Sequence, residues 1–302
     1  MRESFTLHTP DGIELFCYKW SPDGEAKAIV QIAHGAAEHA ERYDRFANFL
    51  TENGFVVYAD NHRGHYKTAG SLENAGKVSQ DSWKGMVRDL KQLTDHARQE
   101  NPGLPLFFFG HSMGSMLGQH YAQEYGHGLQ GLVLSGPLGG LEGIDALVAA
   151  AEQASAAGGR DAMSELFIGM FTSFNEGFEQ QTGFEWLSRD EAEVQKYVDD
   201  PWSGFPFSNG LVEDFMKGAQ HLWNPANEQK IPADLPVLTI TGEKDPASGG
   251  GQTVRMLVER YKSYGIADIT EIYYPEARHE VLNETNREQV MQDVVDWLNE
   301  QL

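Results

Sequence analysis

The segment FFFGHSMGSML, residues 107–117, restricts the possible folds more than any other part of this chain. An aromatic run ends at Gly110, Ser112 follows, and after Gly114 the pattern becomes that of a helix. A buried parallel strand that turns sharply into a helix can hold a serine in a strained turn that lifts its hydroxyl clear of the sheet. Glycines are needed two residues before and after the serine, because a side chain there would collide with the neighbouring backbone. The segment therefore predicts a parallel α/β sheet with Ser112 as a candidate nucleophile.

The remaining strand and helix patterns agree with an α/β fold. Asp11 and Gly12 lie between two stretches rich in β-branched and aromatic residues, which predicts an antiparallel hairpin at one edge of the sheet. Strands apolar on both faces indicate a mostly parallel sheet with helices on both faces. These further strands are expected at 28–33, 55–60, 106–109, 129–135, 235–245 and 269–279, with helices between most of them.

Residues 136–230 interrupt this alternation. No strand-like run appears in the range, and the stretches GPLGGLEG and LVAAAEQASAAGG are typical of a hinge followed by a helix. We predict a helical cap inserted into an α/β core that is formed by residues 1–135 and 231–302.

The composition limits the classes of partner. The chain has 23 Lys and Arg residues against 45 Asp and Glu residues, and a net charge of -22 would repel nucleic acid and anionic lipid headgroups. Cys17 is the only cysteine, the opening MRESFTLHTP lacks the pattern of a signal peptide, and no apolar segment approaches the ~20 residues needed to cross a bilayer. We therefore expect a cytoplasmic protein that acts on a small molecule, without nucleic-acid binding or stable membrane insertion. The oligomeric state is left open.

A serine hydroxyl is a weak nucleophile unless a base takes its proton and a carboxylate orients that base. Asp245 and His279 both lie after Ser112 at the ends of predicted strands, in the order Ser, Asp, His expected on this type of sheet. Asp60 also ends a predicted strand and is the alternative acid, but it precedes the serine in the chain. The backbone N–H groups of Ala36 and Met113 are the candidate donors to an oxyanion.

Five motifs together resemble the α/β-hydrolases of the monoacylglycerol lipase and lysophospholipase group over nearly the full length of the chain. They are HGAAEHAERY, GHSMGS, LSRDEAEVQKYVDDP, TGEKDP and PEARHEVLNE. The resemblance implies an α/β-hydrolase fold, a triad of Ser112, Asp245 and His279, an oxyanion hole from Ala36 and Met113, and a helical cap over an acyl pocket.

The resemblance also suggests residues that bind substrate. It implies that Glu38, Arg42 and Tyr197 lie near the polar end of a glycerol-like leaving group, although an ordinary salt bridge and a packed tyrosine are the alternative. Phe171 and Phe174 belong to a row of phenylalanines at helical spacing, which either packs the cap onto the core or lines an acyl channel.

The segment DNHRGHYKT, which begins at Asp60, departs from the family pattern D-H-x-G-H-G. Tyr66 stands where the glycine is expected, and we expect its ring to narrow or reshape one wall of the pocket. Asp60, His62 and His65 lack the usual spacing of zinc ligands, so no metal and no cofactor is predicted.

The predicted function is a serine carboxylic-ester hydrolase that cleaves a monoacylglycerol, a lysophospholipid or a similar small acyl ester through an acyl-enzyme. A peptidase or amidase on the same fold is the alternative, because the triad does not separate esters from amides. A binding protein that kept the fold and lost catalysis is a second alternative.

Overall fold

The computed structural model describes residues 1–179 and 181–302, and its named strands form a single sheet. Their order across the sheet is β1-β2-β4-β3-β5-β6-β7-β8. β2 pairs antiparallel with β1 and with β4, and the other neighbours are parallel, so the predicted mostly parallel sheet with an antiparallel edge is confirmed. The strands are β1 (Arg2–His8), β2 (Glu14–Trp20), β3 (Ala28–Ala33), β4 (Phe55–Asp60), β5 (Leu106–His111), β6 (Gly131–Ser135), β7 (Val237–Gly242) and β8 (Ile269–Tyr274).

Helices cover both faces of the sheet, as predicted. On one face, Phe46 and Leu50 of α1 share an apolar cluster with Val294 and Trp297 of α11, while α3, α4 and α10 pack on the other face. The helices are α1 (Asp44–Glu52), α2 (Tyr66–Ala69), α3 (Ser82–Glu100), α4 (Met113–Tyr125), α5 (Ile144–Gly158), α6 (Glu165–Phe174), α7 (Glu191–Asp199), α8 (Asn209–Leu222), α9 (Pro225–Glu228), α10 (Gln252–Ser263) and α11 (Arg287–Glu300).

Helices α5 to α9 lie between β6 and β7, within the range for which a helical cap is predicted. α8 packs on α3, and its Asp214 accepts hydrogen bonds of 2.7 Å from both the N–H and the hydroxyl of Ser82. α6 is held more loosely, since Phe167 is its one side chain that is buried in the described structure. The cap boundaries at 136 and 230 stay a prediction.

The fold brings the site residues together because parallel strands end at one edge of the sheet. β5 ends immediately before Ser112, β7 ends shortly before Asp245, and β8 ends shortly before His279. Ligand sites of α/β sheets lie outside this carboxyl edge. Across residues 1–179 and 181–302, no helix has the length and apolarity needed to span a membrane.

Candidate active site

Ser112 occupies the strained turn between β5 and α4 that its neighbours predict. Its φ is 52° and its ψ is -118°, a combination that side-chain-bearing residues rarely adopt. A Cβ atom on Gly110 would lie 2.2 Å from the carbonyl oxygen of Gly114, and one on Gly114 would lie 2.1 Å from the carbonyl oxygen of Ala33. The two glycines are therefore required by backbone approaching backbone, and Ser112 stays partly exposed above them.

Asp245 and His279 form a buried acid–base pair. The Nδ1 atom of His279 lies 3.0 Å from Oδ1 of Asp245, although the N–H direction is poorly aligned for a hydrogen bond. Oδ1 also accepts a hydrogen bond of 2.9 Å from the N–H of Ala247. Burial lowers the pKa of His279, but the charge and the contact of Asp245, together with the charges of Glu280 and Glu38, outweigh it, so the net pKa is raised above its ordinary value. The carboxylate therefore favours a proton on Nδ1 and leaves Nε2 as the candidate base.

Several contacts place Ser112 close to His279, although no hydrogen bond joins them among the residues that the structure describes. The N–H of Ser112 donates to the carbonyl of Ser135 at 3.0 Å, and the next residue, Gly136, lies against His279. The ring of His111, beside the serine, lies 4.9 Å from the ring of His279. Catalytic hydrogen bonds are often long or misaligned without substrate, so the pair remains a candidate nucleophile and base.

Ala36 and Met113 have backbone N–H groups suited to an oxyanion, since within the described residues neither group has an acceptor. By contrast, the backbone N–H groups of the two residues that flank Ala36 do have acceptors. The N–H of Gly35 donates to Oε1 of Glu38 at 2.5 Å, and the N–H of Ala37 donates to Nε2 of His65 at 3.3 Å. The loop is thus held on both sides of the Ala36 N–H, and Ala36, Met113 and Ser112 line one cavity.

Three buried histidines support this loop, and the sequence analysis did not assign them a role. His65 accepts from Ala37 through Nε2, so its proton lies on Nδ1, which donates to the carbonyl of Arg63 at 2.9 Å. Burial lowers the pKa of His65 to about 3, which keeps it neutral. His62 places Nδ1 2.9 Å from Oδ2 of Asp60 and Nε2 3.2 Å from the carbonyl of His34.

Both ring nitrogens of His62 face acceptors, an arrangement that favours the protonated ring. Burial lowers the pKa of His62, but the charge and the hydrogen bond of Asp60, together with the His34 carbonyl, outweigh burial and raise the net pKa. Asp60, the alternative acid, therefore pairs with His62 and not with His279. No group of three or more His, Cys, Asp and Glu residues suited to a metal occurs in the part of the chain that the structure describes.

The cavity beside Ser112 has apolar walls. Its empty volume is about 450 Å³, a figure that includes solvent space at the open side of the cavity. Phe171, Phe174 and Trp186 are among the residues that line it. Phe171 stacks on Phe167 with ring centroids 4.2 Å apart, and these two rings also form one wall of a more open groove on the other side. The same row of phenylalanines therefore packs the helices together and lines the cavity of Ser112, while its role as an acyl channel stays a prediction.

Glu38, Arg42 and Tyr197 form a buried network away from this cavity. Arg42 contacts Oε2 of Glu38 and donates to both carboxylate oxygens of Glu280 at 2.6 and 2.7 Å. Its guanidinium carbon lies 4.7 Å from the centre of the Tyr197 ring, and the Tyr197 hydroxyl donates to the carbonyl of Ala37 at 3.1 Å. This geometry favours the salt bridge and the packed tyrosine over the contact with a leaving group, which stays a prediction.

Tyr66 does not line the cavity that Ser112 faces, so the expected effect on the pocket wall is wrong. Its φ of 43° is left-handed, which explains why glycine suits this position. The ring stacks on His39 at 4.3 Å and meets Trp202 edge-on at 5.2 Å. Tyr66 instead joins the core to the segment that follows α7.

Residues 185–190 connect the helical insertion to the loop that carries His279. The N–H of His279 donates to the carbonyl of Trp186 at 3.3 Å, and the N–H of Glu280 donates to the carbonyl of Leu187 at 2.8 Å. The Trp186 and His279 rings lie 4.9 Å apart. Arg189 donates to the buried carboxylate of Glu284 at 2.8 Å. Trp186 therefore touches both the candidate base and the apolar cavity, and no local motif in the sequence indicated this.

The fold, the strained serine and the apolar cavity define a serine hydrolase of the α/β-hydrolase class, and the lipase and esterase relatives described below make it a carboxylic-ester hydrolase. A family model described as serine aminopeptidase, S33, matches residues 24–286. The chain belongs to this family.

Known relatives and structures extend the comparison. A monoacylglycerol lipase of Mycolicibacterium smegmatis is 28% identical over 291 residues, which cover 95% of this chain and 93% of the relative. The human monoglyceride lipase is 39% identical over 132 residues, 44% of this chain and 42% of the human protein. A thermostable carboxyl esterase from Bacillus coagulans, solved in complex with glycerol, is 28% identical with a TM-score of 0.92, covering 99% of this chain and 98% of that chain.

Proposed function

We propose that this protein hydrolyses monoacylglycerols, and that Ser112, Asp245 and His279 are its catalytic triad. The observation that carries the proposal is the cavity in which Ser112, the free N–H groups of Ala36 and Met113, and a row of phenylalanine rings meet. An acyl chain matches the apolar walls, and its carbonyl carbon would lie at the serine.

The mechanism follows from the positions of the protons. Nε2 of His279 takes the proton of the Ser112 hydroxyl as its oxygen attacks the ester carbonyl. Asp245 holds the proton on Nδ1 and stabilises the imidazolium that forms. The oxyanion accepts hydrogen bonds from Ala36 and Met113, and losing one such donor typically costs about 10² to 10³ in rate.

His279 then returns the proton to the leaving alcohol, and the acyl-enzyme forms. Water, activated by the same imidazole, releases the fatty acid and restores the serine. The charge of Asp245 raises the pKa of His279, which makes the imidazole a stronger base in the first step.

The choice of a monoacylglycerol rests on the apolar cavity and on the relatives named monoacylglycerol lipase. The strongly acidic chain, with a formal net charge of -22, disfavours an anionic substrate, and this makes a lysophospholipid with a net negative headgroup the weaker candidate. A cytoplasmic location and a cap at residues 136–230 remain predictions that belong to this proposal.

The test compares initial hydrolysis rates for one acyl chain presented as a monoacylglycerol, a lysophosphatidylcholine, a p-nitrophenyl ester and an amide. We expect the monoacylglycerol to be cleaved well ahead of the lysophospholipid and the amide, with Ser112→Ala inactive on all four. Faster cleavage of the amide would favour the activity named in the family description. Equal rates for Ser112→Ala and the wild type would remove the serine from the mechanism.

A further inference from the structure

We propose that Arg42 is a positioning residue that fixes the loop of the oxyanion donor relative to the loop of the catalytic base. It does so by binding Glu38 and Glu280 at the same time, and it does not bind the leaving group. This inference rests on the proposed function, because it concerns the same site.

On the side of the base, Arg42 holds the residue next to His279. Its two terminal nitrogens donate to the two oxygens of Glu280 at 2.6 and 2.7 Å, a bidentate geometry that fixes orientation as well as distance. The N–H of Glu280 donates to the carbonyl of Leu187, and the side-chain amide of Asn283 donates to the Glu280 carboxylate at 2.9 Å. The residue beside the base is thus fixed at both its backbone and its side chain.

On the side of the oxyanion, the same guanidinium contacts Oε2 of Glu38. The other oxygen of Glu38 accepts from the N–H of Gly35 at 2.5 Å and from the hydroxyl of Tyr43 at 2.7 Å. Gly35 immediately precedes Ala36, the candidate donor. Hydrogen bonds therefore join Glu280, Arg42, Glu38 and Gly35, and peptide bonds join Glu280 to His279 and Gly35 to Ala36.

Burial and charge explain why the network is stable only when complete. Glu38 and Glu280 are buried, with 3% and 6% of their surface exposed, and two buried carboxylates without a cation would be strongly destabilising. Burial would raise the pKa of Glu280, but the charge and the hydrogen bonds of Arg42, with smaller contributions from His111 and Asn283, outweigh it and hold that pKa at about 2. Arg42 does not line the apolar cavity of Ser112; together with Glu38, His111 and Glu280 it lines a separate cavity.

The experiment compares Arg42→Lys with Arg45→Lys. Arg45 lies in the same helical segment and pairs with Glu193 near the surface, which makes it a matched control. The readouts are kcat and KM for a monoacylglycerol and for a p-nitrophenyl ester of the same acyl chain, and the rate of labelling by a fluorophosphonate. The last two probes carry no glycerol.

A positioning role predicts that Arg42→Lys lowers kcat by about tenfold or more for both esters, because misplacement by 1 Å can cost 10²-fold. KM should stay within about twofold, since the acyl cavity is intact. Labelling should slow in parallel, while Arg45→Lys should match the wild type. A loss confined to the monoacylglycerol and expressed in KM would overturn the proposal, as would unchanged rates.

Glu280→Gln removes the carboxylate that Arg42 binds beside the base and keeps the contact of Arg42 with Glu38. This variant takes the place of Arg42→Lys in the experiment if Arg42→Lys folds poorly. It should also lower kcat for both esters, and unchanged kcat would contradict the proposal.

A wild-type protein that cleaves no ester and takes no label would instead refute the proposed function. In that case the positioning role of Arg42 is tested without any turnover. The titration of the His279 imidazole is followed by NMR in a Ser112→Ala background. Arg42→Lys should raise the His279 pKa, because Glu280 is less well neutralised, and an unchanged pKa would again contradict the proposal.

Discussion

The carbonyl oxygen of Ala33 lies 2.1 Å from the position that a Cβ atom on Gly114 would take. Neither backbone can yield without moving β3 or the start of α4, so Gly114→Ala should destabilise the fold by about 2–3 kcal/mol. Gly169→Ala is the matched control, because Gly169 is also in a helix and has nothing within 4 Å of the added Cβ. This control should stabilise the protein by about 0.5–1 kcal/mol. Urea unfolding of both variants would contradict this account if Gly114→Ala proved the more stable.

Ser112 has a positive φ although it carries a Cβ atom, so its backbone is strained. Two substitutions separate the effect of this strain on stability from the role of the hydroxyl in catalysis. Ser112→Ala and Ser112→Gly should both abolish turnover. The alanine variant keeps the strain, whereas glycine releases it and should raise stability by about 1 kcal/mol. Thermal unfolding measures the difference between the two variants. If glycine were the less stable of the pair, the turn would not be strained.

The pH dependence of hydrolysis should respond to Glu280. The base must be neutral to act, so activity rises as the pH passes the pKa of His279. The charges of Asp245 and, more weakly, Glu280 raise that pKa. Glu280→Gln removes one negative charge, lowers the pKa and should move the acid limb of the kcat/KM profile to lower pH. The profile is measured with a p-nitrophenyl ester. A shift of the acid limb to higher pH would contradict the expected direction of the change in the His279 pKa.

Phe171 should limit the length of the acyl chain, because it separates the cavity of Ser112 from the adjoining groove. Phe171→Ala joins the two spaces and should shift the ratio of rates for long and short monoacylglycerols roughly tenfold towards the longer chain. Phe174 lines the cavity but not the groove, so Phe174→Ala is the control and should shift this ratio less. An equal shift in both variants would mean that Phe171 is not the barrier.

Features carried by neighbouring residues could be predicted from the sequence. The elbow at Ser112 is a local pattern, and the bounds of β3, β4 and α4 follow directly from their apolar runs and glycines. The positions of Asp245 and His279 required only that parallel strands end at one edge. These predictions hold because hydrophobic periodicity and turn chemistry act over a few residues.

Contacts between distant segments could not be predicted in this way. His65 accepts from Ala37, and Trp186 packs on His279, yet nothing in the chain around either aromatic residue indicates its partner. The family resemblance leaves both a leaving-group contact and a salt bridge open for Arg42, and it does not indicate the bidentate partner Glu280, which lies 238 positions away. The direction of the Tyr66 ring depends on a left-handed backbone and on Trp202, which the local sequence does not specify.

The attachment of residues 185–190 to the His279 loop limits how the site can admit substrate. If the whole segment 136–230 rotated away as a rigid lid, Trp186 and Leu187 would be drawn from the N–H groups of His279 and Glu280, and the base would be disturbed in every catalytic cycle. In the part of the chain that the structure describes, α6 makes no backbone hydrogen bond to the His279 loop, and its Phe171 and Phe174 rings pack on Trp186 instead. We therefore expect α6, and not residues 185–190, to move when a fatty acid enters or leaves the site.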